Sequence, residues 1–129
     1  MITIFCASAL GPARPTIYGD GTQTRDYVYV GDVVAAFLAA ADRGRPGTWN
    51  IGTGLEVSVL DLVEIIAGTA GRELTPVFAP ARQGELARSV LAVDRAAGEL
   101  GWRAGTPLAE GIRRVYQWIK AGAPDRAGF

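Results

Sequence analysis

The stretch that decides the fold is Thr16-Ile-Tyr-Gly-Asp-Gly-Thr-Gln-Thr-Arg-Asp-Tyr-Val-Tyr-Val-Gly-Asp-Val33. It opens on residues 15–18, which read as a short strand. The turn Gly19-Asp-Gly21 follows, because glycine adopts a positive φ without strain. Residues 27–30 are again rich in β-formers and predict a second strand. Asp32 then predicts the N-cap of a helix over residues 33–41. The stretch therefore predicts a mixed fold in which strands and helices alternate.

The flanking sequence continues this alternation. Residues 2–10 are apolar and stop at Gly11-Pro12, which indicates a helix, although the β-branched residues at its start leave a strand open. Downstream the pattern predicts a strand over 48–51, a helix capped by Ser58 with Asp61 in the capping-box position, a strand over 74–78, a short helix capped by Asp94, and a last helix opened by Thr106-Pro107. We find no boundary between two domains, so the fold class is α/β or α+β.

Composition excludes several kinds of chemistry. The 129 residues suffice for one domain, and 49% apolar residues suffice for a core. Thirteen basic and thirteen acidic residues give zero net charge, so we expect neither a nucleic acid nor a membrane as partner. The absence of histidine and the single Cys6 exclude histidine catalysis, an internal disulfide and a thiolate zinc cluster. The N-terminus lacks the basic segment of a secretory signal, so we expect a cytoplasmic protein.

Three motifs carry a family resemblance: the opening stretch, Trp49-Asn-Ile-Gly-Thr-Gly54, and Pro80-Ala-Arg-Gln-Gly-Glu85 followed by residues 94–102. Their order and spacing resemble the C-terminal part of extended short-chain dehydrogenase/reductases. Within these, the chain is most similar to UDP-glucose 4-epimerases and other NAD-dependent epimerases and dehydratases. The resemblance implies an α/β fragment, the substrate-binding portion of an extended Rossmann fold without its dinucleotide-binding half. It places this portion at residues 1–120 and a frayed tail at 121–129.

Two arginines are the candidates for a diphosphate clamp. A guanidinium donates two parallel charge-assisted hydrogen bonds to phosphate oxygens, and the resemblance implies that Arg25 and Arg82 do this for UDP. The residues alone leave other roles open, namely a salt bridge from Arg25 to Asp26 or Asp32 and a solvated loop position for Arg82. Arg88 is a third candidate that we expect to be structural.

The resemblance also assigns the nucleoside. It implies that backbone groups of Thr16 and Tyr18 read the uracil, and that Tyr27 lies beside the ribose. Glu85 occupies the position of a family aspartate that meets the ribose hydroxyls, and its extra methylene shifts the carboxylate by about a bond length. The alternatives are an edge strand without a ligand and a half-buried strand tyrosine. Asn50 either helps to shape the site or hydrogen-bonds its own backbone.

Two features of the family's chemistry have no counterpart at the expected places. None of the seventeen glycines has the Gly-x-x-Gly-x-x-Gly spacing that seats NAD pyrophosphate. Tyr116 and Lys120 have the Tyr-x-x-x-Lys spacing of the catalytic pair, but they follow the substrate motifs, whereas the family's pair precedes them. We therefore expect NAD in the whole enzyme, no cofactor bound by this chain alone, and no catalytic residue here.

The functional prediction is a chain that binds the UDP part of a nucleotide sugar for a 4-epimerase and is inactive alone. A dTDP-sugar dehydratase relative and a non-enzymatic nucleotide-sugar-binding or interaction remnant are the alternatives. Residues 33–41 and 48–51 contact the Rossmann half in the family, so alone they would expose a strand edge and an apolar patch. The predicted partners are therefore a UDP-sugar and either that half or a second copy.

Overall fold

The computed structural model describes residues 1–122 and confirms the mixed fold class. Its elements are α1 (Ile2–Leu10), β1 (Thr16–Tyr18), β2 (Thr24–Arg25), α2 (Val30–Asp42), β3 (Val57–Ser58), α3 (Val59–Ala70), β4 (Val77–Ala79), α4 (Asp94–Leu100) and α5 (Leu108–Lys120). None of the helices described is long and apolar enough to cross a membrane. The predicted frayed tail lies outside the described residues, except for the turn at 121–122.

The strands form two small sheets. β1 pairs with β4 in parallel, with Thr16 opposite Val77 and Tyr18 opposite Ala79. β2 pairs with β3 in antiparallel, with Thr24 opposite Ser58. β1 and β2 both belong to the opening stretch, and each pairs with a strand from a later part of the chain. The opening stretch is therefore part of both sheets.

The core lies between α1, α3 and α5. Its fully buried side chains include Cys6 on α1, Leu62 and Ile66 on α3, and Ile112 on α5, with Ile17 of β1 at its edge. The other apolar residues of the same face of α5, Leu108, Val115 and Ile119, pack against this core. A second cluster joins α2 to α4 through Ala36, Ala96 and Trp102.

The start of α3 holds the glycine turn in place. Ser58 and Asp61 form the predicted capping box, in which the Ser58 hydroxyl accepts from the Asp61 amide. The two preceding helical amides donate to the turn: Val59 to the Gln23 carbonyl at 3.2 Å and Leu60 to the Gly21 carbonyl at 3.1 Å. The first three otherwise unpartnered amides of the helix are thus satisfied. The helix ends at Gly71, whose φ of 65° is in the left-handed region that favours glycine.

The strand predicted over 27–30 is wrong. Residues 26–29 are irregular and α2 begins at Val30 with Tyr29 as its N-cap, so Asp32 lies inside the first turn rather than at the cap. The Asp32 carboxylate instead accepts from the Thr106 amide at 2.9 Å and hydroxyl at 3.1 Å. A carboxylate remains favourable in the first turn of a helix, and here it also ties α2 to the start of α5.

The strand predicted over 48–51 is wrong as well. The side chains of this segment are fixed by α4 and by the chain before it: Trp49 donates to the Glu99 carboxylate at 3.0 Å and Asn50 to the Ala92 carbonyl at 3.2 Å. Asn50 therefore does not bond its own backbone. The remaining boundaries shift slightly, since β4 covers 77–79 rather than 74–78, and Val93 and Pro107 are the N-caps of α4 and α5.

Candidate functional site

A groove of about 490 Å³ lies between the start of α1, the strand β1 and the loop after β4. Four of the six predicted site residues line it: Thr16, Tyr18, Arg82 and Glu85. The other lining residues are Met1, Ile4, Phe5, Arg14, Ile17, Gln23 and Val59. The groove therefore combines an apolar end formed by α1 with an end that carries arginines.

Within residues 1–122, β1 pairs with a strand on one edge only, and its other edge faces this groove. In a parallel pair, every second residue directs its peptide groups at the neighbouring strand. Pro15 accepts from Val77 and Gly19 donates to Ala79, so these positions face β4 and the peptide groups of Thr16 and Tyr18 point to the opposite edge. The Tyr18 carbonyl there accepts from the Gln23 side-chain amide at 2.7 Å.

Arg82 lies on the face of Tyr18. Its guanidinium carbon is 4.1 Å from the centre of the tyrosine ring, within the range of a cation–π contact. Its side chain makes no salt bridge or hydrogen bond with any residue in the described range 1–122. The donors of this guanidinium are therefore open to a ligand.

Arg25 reaches the same loop from β2. Its guanidinium donates to the Leu86 and Thr24 carbonyls at 2.7 Å each and forms a 3.3 Å salt bridge with Glu85. The alternative pairing of Arg25 with Asp26 or Asp32 is wrong, because both carboxylates bind other residues. Arg25 and Glu85 thus form one unit beside the groove, in which each side chain is a quarter exposed.

Tyr27 lies apart from the groove. Its hydroxyl donates to the Met1 sulfur at 3.6 Å, and its ring lines a neighbouring cavity of about 210 Å³. Burial raises the pKa of the Tyr27 hydroxyl, against the opposing charge of Arg25. Tyr27 is half-buried, as the alternative of a half-buried strand tyrosine predicted, but it does not lie in a strand.

Two polar residues of the groove were not among the predicted site residues. Gln23 lies in the opening stretch, between the glycine turn and Arg25. This position next to a predicted site residue was the sequence feature that could have identified it. Arg14 donates to the Thr75 and Pro76 carbonyls at 2.9 and 3.1 Å, so it holds the chain leading into β4. No motif marks it in the sequence.

The other motif residues are structural. Arg88 forms a bidentate pair with Glu56, as expected, and these hydrogen bonds lower the pKa of Glu56 to about 2. Asp26 accepts from the Thr53 amide and hydroxyl and from the Gly54 amide. Tyr116 and Lys120 line a different groove, between α3 and α5. Their spacing therefore puts no acid–base pair at the site.

The charge of the groove suits an anion. Among the described residues that line it, Arg14 and Arg82 are opposed only by Glu85, and Glu85 is already paired with Arg25, so the lining is net positive in a chain of zero net charge. None of the seventeen glycines has the Gly-x-x-Gly-x-x-Gly spacing of a dinucleotide loop, and within residues 1–122 the first three amides of α3 are bound by the protein itself.

Comparison with known proteins gives consistent matches. The family model for GDP-mannose 4,6 dehydratase matches residues 1–115. UDP-glucose 4-epimerase from Mycolicibacterium smegmatis is 41% identical over 121 residues, which cover 93% of this chain and 39% of that protein. The crystal structure of UDP-glucose 4-epimerase from Thermotoga maritima with UDP-glucose has a TM-score of 0.89 at 35% identity and covers 93% of this chain and 39% of that one.

A further solved structure matches over the same part. UDP-glucose 4-epimerase from Bifidobacterium longum in complex with NAD+ and UDP has a TM-score of 0.86 at 26% identity and covers 94% of this chain. This chain spans about 39% of the length of these relatives. It belongs to the GDP-mannose 4,6 dehydratase family of NAD-dependent epimerases and dehydratases, and it corresponds to the C-terminal part of an extended short-chain dehydrogenase/reductase.

Proposed function

We propose that this chain binds the UDP part of a nucleotide sugar as the C-terminal part of an NAD-dependent nucleotide-sugar 4-epimerase, and that it is inactive alone. The observation that carries the proposal is the Arg82 guanidinium, which lies in the groove without a carboxylate partner among residues 1–122. The relatives named UDP-glucose 4-epimerase support the substrate class.

Three sets of residues would bind the diphosphate, the uracil and the ribose of the ligand. The diphosphate takes hydrogen bonds from Arg82 and from those Arg25 donors that the Thr24 and Leu86 carbonyls and the Glu85 carboxylate do not occupy. The free edge of β1 at Thr16 and Tyr18 offers a carbonyl acceptor and an amide donor to the uracil. Glu85 accepts from ribose hydroxyls. The position of Tyr27 beside the ribose stays a prediction, because its ring lines the neighbouring cavity rather than the groove.

The contribution of these residues to catalysis is to hold and orient. In the whole enzyme NAD supplies the hydride chemistry at the sugar. The residues of this chain fix the diphosphate and raise the effective concentration of the sugar without touching the reacting carbon.

Calorimetric titration of the purified chain with UDP, UDP-glucose and dTDP-glucose tests the proposal. We expect binding of the uridine nucleotides that Arg82→Ala and Arg25→Ala weaken at least tenfold, since hydrogen bonds to a charged group contribute about 1.5–3 kcal/mol. The matched control is Arg113→Ala, because Arg113 is an exposed arginine on α5 that pairs with Glu110. Preference for dTDP-glucose would favour a dehydratase relative, and no heat with any nucleotide would favour an interaction remnant.

We also propose that an exposed apolar face on α2 is covered by protein. Val33, Phe37 and Ala40 form a groove there with Trp49 and Leu100. Phe37 is 72% exposed, whereas a soluble monomer rarely exposes a large contiguous apolar patch. The chain spans only 39% of its relatives, so we assign the dinucleotide-binding half as the occupant in the whole enzyme and a second copy when the chain is alone.

Light scattering of the purified chain at high micromolar concentration tests this assignment. We expect a dimer or larger species that Phe37→Glu converts to a monomer. Leu55→Glu is the control, because Leu55 is similarly exposed, at 67%, and lies outside the groove. A wild-type chain that is strictly monomeric contradicts the proposal.

A further inference from the structure

The side chain of Tyr18 has a position that the proposed function does not use. The resemblance assigns to this residue only its backbone, as a contact to the base. The residue, however, is 38% exposed, and its ring lies under the Arg82 guanidinium at 4.1 Å. The ring is thus the surface on which the proposed phosphate-binding group rests.

The backbone that carries the ring is held firmly. The Tyr18 carbonyl accepts from Gln23 at 2.7 Å, and Tyr18 stands opposite Ala79 in the parallel pair. The adjacent Gly19 amide donates to the Ala79 carbonyl at 2.9 Å. Tyr18 therefore has a defined backbone on both sides, which a residue at the end of an isolated strand would lack.

The backbone of Arg82 is held close to the same place. A Cβ on Gly19 would lie 3.6 Å from the Ala81 Cβ, so the loop before Arg82 runs directly past the turn. Beyond its Cβ, by contrast, the arginine has no salt bridge or hydrogen bond to the described part of the chain. An arginine side chain loses much rotamer freedom when it is ordered, and here the Tyr18 ring is what restricts it.

We propose that Tyr18 is a positioning residue whose ring holds the Arg82 guanidinium in place for the diphosphate. This proposal rests on the proposed function, because it needs Arg82 to bind phosphate. A cation–π contact at an exposed site corresponds to about a two- to fivefold change in affinity. The phenol hydroxyl takes no part, so a phenylalanine would serve equally.

A double-mutant cycle measures the effect. Wild type, Tyr18→Leu, Tyr18→Phe, Arg82→Ala and the Tyr18→Leu/Arg82→Ala double variant are titrated with UDP and with uridine, which lacks the phosphates, by chemical-shift changes. We expect Tyr18→Leu to weaken UDP two- to fivefold, to leave uridine unchanged, and to have no further effect when Arg82 is already alanine. Tyr18→Phe should bind UDP as wild type does.

The outcomes separate this proposal from the function it rests on. If Arg82→Ala leaves UDP affinity unchanged, the diphosphate clamp fails and the role of Tyr18 fails with it. If Arg82→Ala weakens UDP but Tyr18→Leu does not, or weakens UDP and uridine alike, the clamp stands and the role of the ring is wrong. A loss in Tyr18→Leu that persists beside Arg82→Ala would mean that the ring contacts the ligand directly.

A measurement on the wild-type chain covers the case in which Tyr18→Leu fails to fold. The ring current of an aromatic side chain shifts protons held above its face upfield. The Arg82 Hδ resonances should therefore lie upfield of those of Arg113. Arg82 resonances at the ordinary position would overturn the proposal without any variant.

Discussion

Asp26 provides the sharpest test of how the loops around the groove are held together. Its Oδ1 accepts from the Thr53 amide at 2.8 Å and the Thr53 hydroxyl at 2.6 Å, and its Oδ2 accepts from the Gly54 amide at 2.9 Å and the Leu91 amide at 3.4 Å. Burial raises the pKa of the Asp26 carboxyl, but these hydrogen bonds outweigh burial and lower it below its ordinary value. The carboxylate thus joins three segments that are distant in sequence.

The substitution Asp26→Asn removes the charge and turns one acceptor into a donor. Whichever oxygen is replaced, an amide NH2 then faces at least one backbone N–H that donated to it. A hydrogen bond to a charged group contributes about 1.5–3 kcal/mol, and partial exposure returns some of this loss through water. We therefore expect Asp26→Asn to lower the free energy of unfolding by about 2 kcal/mol, a large share of the about 5–15 kcal/mol of an ordinary domain.

The pH dependence has a fixed sign. Because the pKa of Asp26 is lower in the folded chain than in the unfolded chain, its stabilisation is complete above the unfolded value of about 4 and is lost as the pH falls through the folded value. The stability difference between wild type and Asp26→Asn should therefore be constant from pH 7 to about 5 and shrink below about 4.

Urea unfolding followed by tryptophan fluorescence measures these quantities, since Trp102 lies in the second core cluster. Glu64→Gln is the control, because Glu64 is exposed on α3 and has no hydrogen bond or salt bridge to the described residues. A loss below about 0.5 kcal/mol at pH 7, within the ordinary range of surface substitutions, would refute the reasoning. So would a difference that grows on acidification.

Three further predictions follow from single contacts. Ser58→Ala should cost about 1 kcal/mol in thermal unfolding, because it removes the side-chain cap of α3, whereas an unchanged melting temperature would contradict that role. Gly21→Ala should destabilise more than Gly44→Ala, since both have positive φ but only at Gly21 would the Cβ meet a side chain, that of Leu60 at 2.8 Å; equal losses would count against this contact. Arg88→Ala should raise the pKa of Glu56 from about 2 toward its ordinary value in a carboxyl NMR titration, and an unmoved titration would show that the pair does not form.

Local signals predicted the helices because helix caps act within a few residues. Ser58, Asp61 and Gly71 are all within α3 or adjacent to it, so the sequence contains the whole motif. The β-rich residues 27–30 and 48–51 lack this property. A strand needs a partner strand as well as suitable side chains, and no other strand pairs with these segments within residues 1–122.

The groove was predictable through the resemblance but its internal contacts were not. Thr16, Tyr18, Arg82 and Glu85, which come from two separate motifs, line one groove in the structure. The salt bridge of Arg25 with Glu85 joins positions 60 residues apart, and the nearer carboxylates Asp26 and Asp32 are equally plausible partners in a linear reading. Only the fold, which directs those two at Thr53 and Thr106, decides between them.

From Thr24 onward, most polar side chains of the opening stretch hydrogen-bond to other parts of the protein and do not face the groove. Thr24 donates to Glu56 at 2.7 Å, Asp26 holds the loop at Thr53, and Asp32 holds the start of α5. Arg25, between two of these anchors, adjoins the groove through Glu85, whereas Thr16, Tyr18 and Gln23 earlier in the stretch line the groove directly. The part of the stretch from Thr24 onward is therefore largely a set of structural ties that position one arginine. Substituting Thr24, Asp26 or Asp32 should lower the affinity for UDP, because it moves Arg25. A loss of UDP affinity in such a variant is therefore evidence of a direct contact with the ligand only after the folded fraction of the variant has been measured.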